Sequence, residues 1–465
     1  MESNLIRNKK VTVMGLGLFG GGAGVTRWLH KSGAKVTVTD LKTPAELKES
    51  LRALSNLKGI TYHLGKHYPA DFTHADLVVV NPAVPPDSPY LALARKNRIP
   101  LETENNLFFQ LCPAPIIGIT GSNGKTTTVY LIAEMLKGAG KKIWLGGNVG
   151  KDSLLEKASQ ISRNDIVVLE LSSFQLEDLN RIGKSPHISV VTNISANHLD
   201  RHKTMRNYIN AKKTILRHQA KSDCAVLNLD DREVRQWARE SQSRTLYFSN
   251  RRHSYNGAFI HNNKFYLSPG RVVCAVSDTR LLGGFNRENI AAALAVAGIF
   301  NIPTAHLTRV IRTFPGVEHR LEFVSEVNGV KYYNDSIATN PVSTIGAINA
   351  VSGNLHLILG GYDKLLPLDG LTRVIISNHR RIKSIILLGA TADKIQAALS
   401  KYGPGHLQKD VVILRARSLA ETVLLARRIA KSGDTVLLSP ACASFDMFRN
   451  FAERGRMFKD IVKAL

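Results

Sequence analysis

The chain has 465 residues, 44% of them hydrophobic, with room for about three domains of ~150 residues each. Its 62 Lys+Arg against 37 Asp+Glu leave a net charge of +25, spread along the whole chain with no basic tail. That is a solvated surface suited to anionic substrates, and no nucleic-acid partner is expected. Four scattered cysteines (Cys112, Cys224, Cys274, Cys442) without C-x-x-C spacing argue against a zinc ribbon or a disulfide framework and for a reducing cytoplasm.

Residues 1–103 open on a strand, Val11–Met14, that runs into Gly15-x-Gly17-x-x-Gly20. A helix follows, and a second strand, Lys35–Thr39, ends in Asp40, twenty residues after Gly20. Strand, glycine turn, helix and a later acid form a Rossmann-type fingerprint, in which a diphosphate lies on the helix N-terminus and the acid meets a ribose hydroxyl. Lys9-Lys10 ahead of the apolar run Val11–Val25 mimics an export signal. However, Trp28–Lys31 stands where a small-residue cleavage site belongs, and the run is too glycine-rich for a membrane helix. A third strand, Asp76–Val80, ends in Asn81-Pro82.

Residues 104–316 carry the stretch that organises the chain, PIIGITGSNGKTTT from Pro115 to Thr128. Ile116, Ile117, Ile119 and Thr120 read as a buried strand, and Val129, Ile132, Ala133 and Leu136 have helical spacing. Between them Gly121-Ser122-Asn123-Gly124-Lys125-Thr126-Thr127 has the make-up of a phosphate cradle. Glycines let the backbone approach, N–H groups at the helix start face the anion, Lys125 reaches the terminal phosphates, and the Thr126 hydroxyl ligates Mg²⁺. The strict G-x-x-x-x-G-K-[ST] pattern fails at Ile119, so the match is to a shorter loop. Strand Asp165–Leu169 then ends in Glu170, and strand Ile188–Thr192 ends in Asn193. The polar segment Ser195–Arg201, helix Tyr208–Arg217, strand Ala225–Leu229, a hairpin Ala258–Leu267 turning at Asn262-Asn263, and helix Arg287–Ile299 complete this part. Ligands gather at the carboxyl ends of strands in an open α/β sheet, which sets Glu170 and His198 opposite Lys125 and Thr126.

Residues 317–465 form a third α/β unit with strands Leu355–Leu359, Ser384–Leu388, Val411–Leu414 and Thr435–Leu438. Two of them end in loops, Gly360–Lys364 and Ser439–Ser444, where binding groups concentrate.

Together, ITGSNGKT, GGNVG (Gly146–Gly150), LELSSFQLE (Leu169–Glu177), NHLDRH (Asn197–His202), NDSIATN (Asn334–Asn340) and LSPACASFDMFRNFAERG (Leu438–Gly455) resemble the Mur ligases over all three domains. The resemblance implies an α/β protein of three domains: a Rossmann-like N-terminal domain, a central P-loop ATPase domain with a mostly parallel sheet, and a Rossmann-like C-terminal domain. It implies ATP-driven amide formation joining D-glutamate to UDP-N-acetylmuramoyl-L-alanine in peptidoglycan precursor synthesis, by a cytoplasmic monomer with no membrane partner. The carboxylate takes the γ-phosphoryl group of ATP, and the amine attacks the acyl phosphate.

Under the same resemblance, Gly17, Leu18, Phe19 and Asp40 hold the UDP moiety, with Asn148, Ser172 and Gln175 reaching in from the central domain. Thr126 and Glu170 bind one Mg²⁺, and Glu170, His198 and a carbamylated Lys212 hold a second. By chemistry alone Lys213 competes with Lys212, and motif spacing selects the latter. Asn286, Asn289, Arg320 and Asp335 match positions for adenine, phosphate and ribose. Thr339, Lys364, Ser444 and backbone near Phe451 match those for D-glutamate. Two departures stand out: Ile337 replaces the family's lysine in NDSKATN, so another cation must serve, and Phe285 replaces a histidine before Asn286. Rival readings are a sibling Mur-type or folylpolyglutamate-type ligase, a nicotinamide dehydrogenase resting on the Gly15–Gly20 fingerprint, and a basic nucleic-acid-stimulated ATPase.

Overall fold

The computed structural model describes residues 6–18, 20–150, 153–251, 256–402 and 411–465. They divide into two compact units, Met1–Ala275 with Glu288–Val310, and Val276–Arg287 with Ile311–Leu465. Among the described residues no helix is long and apolar enough to cross a membrane.

The first unit holds two sheets. In the first, β1 (Lys10–Met14), β2 (Lys35–Asp40), β3 (Thr61–Leu64), β4 (Leu77–Val80) and β5 (Leu101–Glu102) lie in the order β3-β2-β1-β4-β5, all parallel. The chain winds outward from β1 through β2 and β3, then returns to β4 on the other side. A crevice therefore opens at the carboxyl ends of β1 and β4, where the direction of winding reverses. Gly15 lines that point at φ +91°, with Asn81 packed so close that a Cβ would collide with it.

The second sheet has nine strands: β6 (Ile116–Thr120), β7 (Ile143–Gly147), β8 (Ile166–Glu170), β9 (Ile188–Val191), β10 (Cys224–Asn228), β11 (Arg244–Ser249), β12 (Gly257–His261), β13 (Lys264–Leu267) and β14 (Arg271–Ala275). Their order is β14-β13-β12-β11-β10-β9-β6-β8-β7, parallel except for the antiparallel pairs β12–β13 and β13–β14. β6 sits inside the sheet and is buried at every residue, which its run of isoleucines around Gly118 requires of a strand covered on both faces. Its two neighbours were reached in opposite directions, so the phosphate loop after Thr120 lies at a second reversal point. Register then does the positioning: Ile119 pairs with Glu170 on β8 and Thr120 with Val191 on β9.

The second unit is built on β15 (Glu322–Val327), β16 (Val330–Asn334), β17 (Leu355–Leu359), β18 (Ile382–Leu388), β19 (Val412–Ala416) and β20 (Thr435–Leu438), in the order β15-β16-β20-β17-β18-β19. Only β15 runs antiparallel to its neighbour. β17 and β20 are fully buried, and the loops at their carboxyl ends meet, Tyr362 N–H donating to Ala443 O at 2.8 Å.

Candidate active site

In the first unit the cradle has the shape its residues predict. Gly121 adopts φ +148° and Gly124 φ +81°, and a Cβ on either would strike Thr192 or Asn289. Helix Lys125–Leu136 begins on Gly124 with no side-chain cap, so its first N–H groups stay available to an anion. Lys125 folds back over the loop, its Nζ donating to Gly121 O (2.9 Å) and Ser122 O (3.1 Å). Asn123 N–H is held by Asn193 Oδ1 at 2.9 Å, and Ser122 Oγ by Tyr208 OH at 3.0 Å and Ser195 O at 2.9 Å. Thr127 turns inward, its buried hydroxyl without a hydrogen-bond partner, leaving its backbone N–H as one of the uncapped donors. Asn193 and Tyr208 were not among the residues assigned from sequence; nothing but the register of β9 against β6 and the facing of one helix brings them here.

Thr126 Oγ1 donates to Glu170 Oε2 at 2.7 Å, so two hard oxygens converge at the residue that follows Lys125. That pair fits Mg²⁺. Among the described residues no three His, Cys, Asp or Glu cluster as a metal cage. Lys212 lies near Glu170 and Lys125. It is buried, with Nζ donating to Gly121 O (3.0 Å) and Thr120 Oγ1 (3.1 Å). Burial, helped by the nearby Lys125 cation and opposed by Glu170, pushes its amine well below the usual lysine range. Helix Met205–Arg217 explains the selection between neighbours: Tyr208, Ala211, Lys212 and Ile215 fall on its inner stripe, while Lys213 pairs outside with Glu240 at 2.6 Å. His198 is exposed at the start of helix Leu199–His202, in left-handed backbone at φ +54° and edge-on to Phe174 with ring centres 5.3 Å apart.

Toward the first sheet, Asp40 braces the glycine turn, its carboxylate accepting Gly17 N–H (3.1 Å) and Lys42 N–H (2.9 Å). Leu18 is half-exposed, and Phe19 lies outside the described residues. A second cleft lies where Gly20, Gly21 and Pro82 meet Glu104, Gly147 and Gln175. Ser172 caps helix Ser173–Arg181 in a reciprocal box with Gln175, whose Oε1 accepts from Ser172 N at 2.9 Å. Asn148 donates its N–H to Glu170 O at 3.0 Å, directly behind the carboxylate above. Arg27 and Glu156 clamp helix Gly21–Lys31 to the Leu155–Gln160 turn through two bonds of 2.7 Å.

Asn289 belongs to the first unit. Its Oδ1 accepts from Thr128 Oγ1 at 3.3 Å, under the turn at Gly124. Asn286 belongs to the second unit and donates to Leu282 O at 2.8 Å, beside an exposed Phe285.

In the second unit Asp335 is buried at the end of β16, accepting Leu321 N–H (3.1 Å) and Ser439 Oγ–H (2.7 Å) with Arg320 nearby. Burial raises its carboxyl to about 7. Arg320 Nε is buried without a partner. Thr339 and Lys364 share a small pocket with Tyr362, Thr391 and Cys442. Ser444 and Phe451 do not line it: Ser444 is buried two residues beyond Cys442, and the Phe451 carbonyl accepts Ser336 Oγ–H at 2.8 Å. Arg454, which sequence reading passed over, ties these loops together. Buried and in no ion pair among the described residues, it donates to Ser336 Oγ (3.0 Å), Ser336 O (2.9 Å), Cys442 O (3.1 Å) and Ala443 O (3.3 Å). Its position inside FAERG was visible, but not its burial.

Comparison with known proteins agrees in chain order. The descriptions "Mur ligase MurD-like, N-terminal domain", "Mur ligase middle domain" and "Mur ligase, glutamate ligase domain" match residues 9–102, 119–297 and 319–442. The chain is 43% identical over 471 residues to the UDP-N-acetylmuramoylalanine--D-glutamate ligase of Roseiflexus sp. (strain RS-1), covering 99% of both. The chain belongs to the Mur ligase family. A relative of the same name from Acetivibrio thermocellus is 42% identical over 467 residues, with 99% of this chain and 97% of that one covered. Among solved structures, UDP-N-acetylmuramate-alanine ligase MurC of Thermotoga maritima superposes with a TM-score of 0.63 at 18% identity, over 98% of this chain and 100% of that one. The MurF ligase of Thermotoga maritima in complex with ADP gives 0.59 at 17%, over 100% and 97%. At such identities these two speak for the three-domain Mur ligase fold alone. As a Mur ligase the chain is an ATP-dependent, amide-forming enzyme, and the dehydrogenase reading of its glycine fingerprint falls away.

Proposed function

We propose that this Mur ligase joins D-glutamate to UDP-N-acetylmuramoyl-L-alanine at the expense of ATP, in the cytoplasm. The observation that carries the reading is full-length identity above 40% to relatives named for that reaction. In this reading the phosphates of ATP displace the loop carbonyls from Lys125 and rest on the uncapped N–H groups of helix Lys125–Leu136. Mg²⁺ held by Thr126 and Glu170 would offset the charge spread over the phosphoryl oxygens. The substrate carboxylate takes the γ-phosphoryl group with ADP leaving. The amine of D-glutamate then attacks the acyl carbon and phosphate departs, as an amide forms and one proton is released.

Lys212 is suited to carbamylation because burial favours its uncharged amine, and it is the uncharged amine that attacks CO₂ to give a carbamate and a proton. The product is an anionic oxygen ligand beside Glu170, to which His198 would be added. Arg320 is the cation available beside Asp335 where Ile337 cannot serve. For D-glutamate we assign Thr339 and Lys364 as direct contacts, with Ser444 and Phe451 shaping the pocket's backbone. The test is phosphate release from ATP, Mg²⁺ and UDP-N-acetylmuramoyl-L-alanine across a panel of D- and L-amino acids. Release that depends on D-glutamate is the expected result; release with another amino acid only would move the chain to a sibling activity.

A further inference from the structure

The cleft at the carboxyl ends of β1 and β4 is lined by Met14, Asp40, Lys42, His67, Asn81 and Tyr90, among others. His67 is 8% exposed. Its Nδ1 is bonded to Thr39 Oγ1 at 2.7 Å, and Phe72 and Tyr90 pack edge-on to its ring, with centres 5.7 and 4.9 Å away. Thr39 is fully buried, and this is the one hydrogen bond of its hydroxyl among the described residues. A buried hydroxyl needs an acceptor for its hydrogen, so Nδ1 accepts and the ring proton sits on Nε2. Nε2 has no hydrogen-bond partner among the described residues, and His67 is one of the residues that line the cleft. Burial also holds the imidazole below its ordinary value despite Asp40 and Asp71, so the ring is neutral at pH 7.

We propose that His67 is a specificity-determining residue for the nucleobase, its Nε2–H donating to a carbonyl oxygen of a uracil seated in this cleft. This rests on the reading above that the substrate carries UDP. Asp40 lines the same cleft, and each of its carboxylate oxygens takes only one backbone N–H, leaving lone pairs for a further donor. A donor and an acceptor side by side match the C4 carbonyl and N3–H of uracil. Cytosine presents the reverse, an amino donor at C4 and an acceptor at N3, and would set donor against donor.

The test is calorimetric binding of UDP, CDP and ATP to the full chain and to His67→Phe and His67→Gln. Wild type should prefer UDP to CDP. His67→Phe should lose about tenfold in UDP affinity, the worth of one hydrogen bond, and most of the UDP/CDP ratio, with ATP binding unchanged. His67→Gln keeps an N–H donor and should keep most of the preference. Wild-type affinity and ratio in His67→Phe overturn the assignment while leaving the UDP reading intact. A wild-type chain that binds ATP but not UDP overturns both. Should His67→Phe fail to fold, ¹⁵N-histidine NMR of the wild type decides. A Nε2–H tautomer whose Nε2 resonance moves on saturation with UDP supports the proposal, and an unmoved resonance refutes it.

Discussion

Replacing Asp335 by Asn should change how the stability of the second unit depends on pH. Asp335 is almost wholly buried, and burial moves its carboxyl from 3.8 to about 7 against the pull of Ser439, Arg320 and the Leu321 N–H. Between those values the native chain holds a proton that the unfolded chain has released. Stability therefore falls as pH rises from about 4 to about 7 and stays low above that. At ~1.4 kcal/mol per unit, the interval amounts to about 4 kcal/mol from this one group. Asn keeps the shape and is neutral throughout. Its Oδ1 can accept the Leu321 N–H, and its amide can donate to Ser439 Oγ, whose own hydrogen then turns from residue 335 to Thr344 Oγ1, 3.0 Å away. The variant should match wild type near pH 4 and exceed it by about 4 kcal/mol at pH 8, other carboxylates cancelling in the comparison. Urea unfolding followed by far-UV circular dichroism measures this. All three tryptophans, Trp28, Trp144 and Trp237, lie in the first unit, so their fluorescence is an internal control that should not move. A wild-type-minus-variant gap that stays constant from pH 4 to 8 would refute the argument.

Lys125→Ala and Glu170→Ala should each reduce phosphate release to background while circular dichroism and melting temperature stay near wild type; a variant that turns over at the wild-type rate contradicts its assigned role. Lys212→Ala should be inactive and regain part of its activity with a small carboxylate such as acetate, and failure of rescue counts against a carbamate at this position. Arg454→Lys keeps the buried charge but loses the planar fork, stranding the Ser336 and Cys442 carbonyls, and should cost about 2–4 kcal/mol of stability in urea. A loss under 1 kcal/mol would mean the fork is dispensable.

The local elements needed little beyond sequence. Leu355–Leu359 and Thr435–Leu438 coincide with β17 and β20 residue for residue, because a short run of β-branched and leucine residues between turn formers has few other solutions. Gly121 and Gly124 were identifiable for the same kind of reason: their backbone conformations belong to glycine. Helical periodicity also contained the distinction between Lys212 and Lys213, since Tyr208, Ala211 and Ile215 define the inner stripe.

Other features lay beyond local pattern. β3 (Thr61–Leu64) is only four residues long and β15 (Glu322–Val327) breaks apolar alternation, and both exist as strands because β2 and β16 offer them hydrogen bonds. Helix Gly284–Ile299 begins three residues before the start expected at Arg287, taking in Phe285 and Asn286. The pairing of Ile119 with Glu170, the curl of Lys125 onto its own loop, the pKa shifts of Lys212 and Asp335, and the carbonyl cage around Arg454 were decided by tertiary structure alone. Sequence by itself determined which residues could do the chemistry and which turns they occupy, because glycine conformations and apolar spacing act over a few residues. Which groups meet, and in what state of charge, depends on strand order and on burial, and both are set by partners tens to hundreds of residues away.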